Sequence, residues 1–132
     1  MVKYYGGLVH VMPIYTFIFL FFTMANIGLP GTGSFIGEFL ILIGIYQLNT
    51  TIAFLSATGM VLGGCYSLWL FNRISYGNLK SQYLIYFTDI NKREFLVLLP
   101  LIVGTLVMGI YPDIFLSPMH MSVNLLLEQM NV

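Results

Sequence analysis

Charge is what this sequence has least of. From Tyr4 to Asn72 the only formal charge is Glu38, and charged residues make up 8% of the 132 residues. A soluble domain carries roughly a quarter, so a fully solvated globule is excluded. With 58% hydrophobic residues and a mean hydropathy of +0.89, the chain reads as a membrane protein. Zero net charge without a basic block excludes the electrostatic footprint of nucleic-acid binding. A single cysteine, Cys65, excludes a disulfide framework and a four-cysteine iron–sulfur cluster within the chain, and reads as inert core. Targeting signals are also missing: Lys3 alone precedes the first apolar run, with neither a Ser/Arg-rich transit pattern nor a small-residue cleavage site. Insertion from the side of synthesis is expected, as for organelle-encoded and bacterial proteins. No internal repeat or low-complexity segment is visible.

What is there is long apolar runs, and three crossings fit them. The first covers about residues 12–46 and is interrupted near 30–34. Its two arms together exceed the roughly 20 residues of a straight span, and the second arm alone is too short. One broken crossing is expected, its second arm tilted or running partly sideways. The second crossing covers about 52–72 and the third about 95–111. The fold class is therefore an all-α, polytopic membrane segment over residues 1–132. Between the last two crossings lies a loop, 73–94, holding Arg73, Lys80, Lys92 and Arg93 against Asp89 and Glu94. Its cations place it on the side of synthesis and the tail, 112–132, on the other. In the tail, Ser117-Pro118 has the form of a helix start. His120, Asn124 and Glu128 follow at spacing four, which predicts a short interfacial helix.

Glu38 is the candidate for chemistry. A lone carboxylate at membrane depth is costly and by default functional. It follows Gly28-Leu29-Pro30-Gly31-Thr32-Gly33, where proline stops a helix and glycines admit unusual backbone angles. The helix is expected to restart at Thr32 or Ser34, either of which can cap it. Glu38 then lies about one turn in, where the helix dipole favours the anion and removal from water favours the neutral acid. Such opposed influences suit a proton-exchanging group; a structural glutamate paired with a lysine or with backbone is the plainer alternative.

Thr16, Thr23 and Asn26 share a stripe of the first arm and either line a hydrated path or bond to neighbouring helices. Gly59 and Gly63, extended by Ser67, predict tight helix packing on the second crossing. Tyr66, Trp69 and Tyr111 read as interface anchors. Other patterns are discounted. Gly31-Thr32-Gly33-Ser34-Phe35-Ile36-Gly37 has its third glycine one residue late for a dinucleotide loop and no βαβ surroundings. Asn49-Thr50-Thr51 is a glycosylation acceptor only in a secretory compartment. His10 and His120 both sit near span ends, unsuited to sharing a haem; His10 is read as an interfacial residue, with a part in proton uptake as the alternative.

The run Leu29-Pro30-Gly31-Thr32-Gly33-Ser34-Phe35-Ile36-Gly37-Glu38-Phe39 resembles the last proton-channel helix of the antiporter-like chain 4 family of NADH:ubiquinone oxidoreductase, respiratory complex I, most closely in its mitochondrial form. Tyr66-Ser67-Leu68-Trp69-Leu70, Lys92-Arg93-Glu94 and Gly109-Ile110-Tyr111-Pro112 are similar to the same family, so the resemblance covers essentially the whole chain. It implies the carboxyl-terminal part of a subunit of about fourteen transmembrane helices built from two inverted repeats. It implies that Glu38 ends a relay of buried lysines and a glutamate, supported by Pro30, Gly31, Gly33, Thr23 and Asn26. The chain would hold no cofactor; flavin, iron–sulfur clusters and ubiquinone belong elsewhere in the complex. The implied location is the mitochondrial inner membrane, with loop 73–94 facing the matrix and the tail the intermembrane side. Implied partners are the amino-terminal part of the subunit as a separate polypeptide, neighbouring antiporter-like and accessory subunits, and membrane lipids. Met1 and the polar ending Asn131-Val132 fit a separately made piece from a split gene; a truncated chain is the alternative. Competing functions are a sodium/proton antiporter-type complex and a purely structural membrane fragment.

Overall fold

The computed structural model describes residues 2–79 and 88–130; Met1, Lys80 with the rest of 80–87, and Asn131-Val132 lie outside them. Two short 3-10 turns, Val2–Tyr4 and Leu8–His10, precede five α-helices: α1 (Pro13–Ile27), α2 (Gly33–Leu48), α3 (Thr50–Ser75), α4 (Lys92–Ile110) and α5 (Asp113–Met130). The all-helical expectation holds for the described residues. α3 and α4 are long and apolar enough to cross a membrane, at 26 and 19 residues, about 39 and 28 Å by helical rise. α1 and α2 are apolar but shorter, at 15 and 16 residues.

α3 is the backboard. α1 packs on its carboxyl-terminal half, where Phe19 stacks on Tyr15 and meets Phe71 at a tilt, with ring centroids 5.9 and 5.5 Å away. α2 runs beside the amino-terminal half, and Phe39, Leu42, Ile43 and Tyr46 face Ala53, Phe54 and Ala57 across an apolar groove. Asn49 makes this hairpin. Its N–H donates to the Ile45 carbonyl at 2.9 Å, closing α2, and its side-chain oxygen accepts from Thr51 N–H at 2.9 Å, opening α3. The apparent glycosylation acceptor is thus a helix cap.

Two helices begin earlier than expected. α4 starts at Lys92 rather than Phe95, because Glu94 reaches back to accept from the Asn91 N–H at 3.0 Å, half of a capping box. Lys92-Arg93-Glu94 therefore form its first turn. α5 starts at Asp113, so Ser117-Pro118 is interior and not a helix start. The amides of Phe115 and Leu116 both donate to the Pro112 carbonyl at 3.0 Å, which nucleates the helix before Pro118 is reached. Neither α4 nor α5 has a buried residue, and among the described residues the buried apolar core is Leu8, Ile18, Ala25, Ala53 and Phe71.

At one end of the molecule three segments are tied together. Gly7, at φ 73°, donates its N–H to Tyr76 at 3.2 Å, and a methyl group on it would meet the Gly77 carbonyl at 2.9 Å. α1 opens with Met12 and Pro13, which supply no capping side chain. The cap comes from 75 residues away: Asp89 accepts from Ile14 and Tyr15 N–H at 3.0 and 3.1 Å, and from Ile90 N–H at 2.8 Å. Burial is the largest single influence on this carboxyl and acts to raise its pKa. The N–H groups of Ile14, Ile90 and Tyr15 together outweigh it and hold the carboxyl below the usual carboxylate value.

At the far end of α4, Gly109 lies on the segment linking α1 to α2. A side chain there would run into the Gly31 carbonyl and stand 2.5 Å from Thr32 N. Next to it, a methyl group on Gly33 would meet Met108 Cβ at 2.9 Å.

Two outcomes follow from these contacts. Gly109→Ala forces backbone against backbone and costs about 1–3 kcal/mol; it lowers the amount of folded chain recovered from membranes. Gly104→Ala, with open space at its Cβ, does not. Asp89→Ala removes a helix cap worth about 0.5–2 kcal/mol and weakens hydrogen-exchange protection at Ile14 and Tyr15. Because the folded Asp89 pKa is lowered, its stabilisation is complete above the unfolded value of about 4 and fades as pH falls through the folded one. Protection at those two amides in the unaltered chain is accordingly level between about pH 5 and 8.

Candidate proton-exchange site

The site is built on the segment 28–32. α1 ends at Gly28, whose φ of 84° is the left-handed conformation that glycine adopts without strain. Its N–H turns back to Ala25 at 3.2 Å, and Leu29 N–H to Met24 at 3.1 Å, so two terminal carbonyls of α1 are satisfied. Pro30 has no N–H to continue the ladder. Gly31 follows at φ 95°. Thr32 is buried at the cap position of α2, as expected of it or Ser34, but its hydroxyl does not cap. It donates backwards to the Leu29 carbonyl at 2.7 Å, fastening the loop on itself.

Glu38, the sixth residue of α2, folds its carboxyl group back over Gly28. A methyl group on Gly28 would overlap Glu38 Oε2 and stand 3.1 Å from Cδ. Oε2 is buried and accepts no hydrogen bond. That is an expensive placement for a carboxylate oxygen. The side chain borders a cavity of about 360 Å³ shared with Asn26 and Ile27 of α1 and with Ser56, Gly59, Met60, Gly63, Gly64 and Tyr66 of α3. Such a volume admits several water molecules. Among the described residues no group of three or more His, Cys, Asp or Glu side chains could hold a metal ion.

Of the residues singled out from sequence, Asn26 shares the cavity with Glu38. Pro30, Gly31 and Gly33 make the adjoining turn, with Gly31 and Gly33 against α4. Thr23 is buried one turn before the loop, and its hydroxyl donates to Leu20 at 2.8 Å; it does not border the cavity. Thr16 likewise donates within α1, to Met12 at 2.7 Å, so neither threonine bonds across helices.

On α3 the tight contact is one position over from the expected one. Gly64 is buried against Ile27, whereas Gly59 has open space and Gly63 meets only Tyr66 of its own helix. The two glycines serve as cavity wall. Ser67 is buried with its hydroxyl on Gly63 and Gly64 at 2.8 and 3.0 Å. Tyr66 lines the cavity well inside α3 instead of marking a span end. Trp69 does sit beside a cation, with the Arg73 guanidinium 5.1 Å from its ring centroid. Cys65 is exposed, not core. His10 and His120 are exposed at opposite ends of the sequence.

Ser56 and Tyr66 were not anticipated as companions of Glu38. The signal was available: Ser56, Gly59, Gly63 and Tyr66 recur at helical spacing, a narrow stripe of small and polar residues on an apolar helix.

Residues 1–63, which include the break and Glu38, match the family described as NADH:quinone oxidoreductase/Mrp antiporter, TM. The chain is 58% identical over 127 residues to NADH-ubiquinone oxidoreductase chain 4 of Marchantia polymorpha, covering 96% of this chain and 26% of the relative. Identity to the chain 4 of Triticum aestivum is 56% over 128 residues, with 97% and 26% covered. NADH-quinone oxidoreductase subunit M of Rhodobacter capsulatus is 48% identical over 110 residues, 83% of this chain and 22% of the relative. The chain thus spans about a quarter of the length of the curated relatives it matches. At this identity along almost all of its residues, it belongs to the family of antiporter-like membrane subunits that includes NADH-ubiquinone oxidoreductase chain 4.

Proposed function

We propose that this chain is the carboxyl-terminal portion of a proton-translocating membrane-arm subunit of NADH:ubiquinone oxidoreductase, and that Glu38 is its protonatable relay group. The observation that carries this is the buried, unbonded Oε2 of Glu38, whose side chain borders a cavity with room for several waters where α1 ends and α2 begins. A carboxyl group kept solely for structure is expected to be bonded on both oxygens. One left without a partner beside polar Asn26, Ser56 and Tyr66 is suited to exchange a proton with water in the cavity. α1 and α2 are read as the two arms of one broken crossing, since they follow one another along the single helix α3.

In this scheme NADH oxidation and quinone reduction take place in other subunits, and no redox cofactor binds here. The part of the subunit that corresponds to the remaining length of the relatives provides the preceding relay residues and covers the bare faces of α2, α4 and α5. Neighbouring antiporter-like and accessory subunits complete the surroundings in the mitochondrial inner membrane. The loop before α4 faces the matrix and α5 the intermembrane side. Pro30, Gly31 and Gly33 hold the break, while Asn26 and Thr23 support the path on α1.

Glu38→Gln keeps the shape of the side chain and removes its exchangeable charge. The expected result is that the complex assembles at its normal level while proton translocation coupled to NADH oxidation falls roughly a hundredfold or more, the low end for loss of a positioned acid–base group. Proton uptake by inverted membrane vesicles, together with the amount of assembled complex, measures both. Undiminished translocation in an assembled variant refutes the relay role.

A further inference from the structure

Where α1 and α4 begin side by side, a second cavity, of about 420 Å³, opens between them. It is lined by Ile14, Ile90, Phe95 and Leu96, with Lys92 as its one charged member. The acids nearby are already engaged. Asp89 is bonded to the amino terminus of α1 and Glu94 to that of α4, so each carboxylate answers the positive end of a helix. Among the described residues neither Lys92 nor Arg93 has an ion-pair partner. The result is an apolar slot between two helices, with Lys92, unpaired among the described residues, in its lining and Arg93 next in sequence.

The geometry points to a binding site for an anionic phospholipid, with one acyl chain in the slot between α1 and α4 and the headgroup phosphate on Lys92. The slot is apolar except for this lysine, as an acyl chain below a phosphodiester requires, and its volume is close to that of a long acyl chain. A packed protein helix would strand the Lys92 charge against apolar surface, at a cost that a phosphate removes. A basic group near a membrane surface attracts anionic lipid by about 1 kcal/mol, or roughly fivefold. This inference rests on the membrane setting of the chain and is independent of proton transfer at Glu38.

The test uses the assembled complex in phosphatidylcholine vesicles holding a trace of phosphatidylglycerol with a photoreactive acyl chain. Phosphatidylglycerol is expected to label Ile14, Ile90, Phe95 or Leu96 about fivefold more than the matching phosphatidylcholine probe. Lys92→Gln reduces that preference, Leu96→Trp blocks labelling by filling the slot with the lysine retained, and Glu38→Gln changes nothing. Unlabelled phosphatidylglycerol competes and inorganic phosphate does not. Equal labelling by both lipids overturns the proposal, as do labelling indifferent to Lys92→Gln and Leu96→Trp, displacement by inorganic phosphate, or crosslinking of these residues to a protein chain instead.

Discussion

A buried carboxyl oxygen without a protein hydrogen-bond partner is the constraint around which this molecule is arranged. The cost of such a placement is on the order of 1–3 kcal/mol for a neutral polar group and more for a charged one. It persists only where the surroundings are fixed by other interactions. Glu38 lies beyond the first turn of α2, where the neighbouring backbone amides are already committed to the helical ladder. The carboxyl group lies over Gly28, and a side chain on Gly28 would occupy its place. The glycine is thus required twice, for a left-handed helix end and for a landing surface.

The break and the cavity divide their tasks between opposite faces. On the α4 side, backbone meets backbone: Gly109 rests on the Gly31 carbonyl, and Gly33 fits under Met108. Nothing water-sized enters such a contact, and the orphaned groups of the break are satisfied by Gly28, Leu29 and Thr32. On the α3 side the glycines do the reverse. Gly59 and Gly63 leave room, and Ser56 and Tyr66 make that room polar. Small residues produce a seal in one place and an opening in the other, according to whether a second backbone comes close enough to fill the gap.

That distinction is also where sequence reading reached its limit. The end of one helix before Pro30, the start of another after it and the isolation of Glu38 were legible because Pro30, the surrounding glycines and one charge in a long apolar run have local consequences. The meaning of Gly59 and Gly63 was not local. Their spacing announces a smooth helix face, but only the position of Ile27 against Gly64 decides which neighbouring stripe is packed and which is left open. The start of α5 was misjudged for a related reason. Ser117-Pro118 has the chemistry of a helix beginning, yet Pro112 and Asp113 nucleate the same helix one turn earlier, and the later proline is carried inside it. The role of Asp89 was out of reach altogether, since a helix cap supplied from 75 residues away leaves no pattern in either segment.

Asp89 shows how so thin a core still fixes the site. Few apolar side chains are buried among the described residues, so packing alone holds α1 weakly in register with α4. The two helices are instead pinned at both ends by polar or backbone contacts: Asp89 on Ile14 and Tyr15 at one, Gly109 on Gly31 at the other. A helix fixed at two points cannot slide or rotate without breaking one of them. The break between α1 and α2, and with it the carboxyl group of Glu38, therefore keeps its place while the outer faces of α2, α4 and α5 stay free for lipid and neighbouring chains. Directional contacts suit this task better than apolar burial does, because lipid competes with apolar contacts on equal terms and with hydrogen bonds hardly at all.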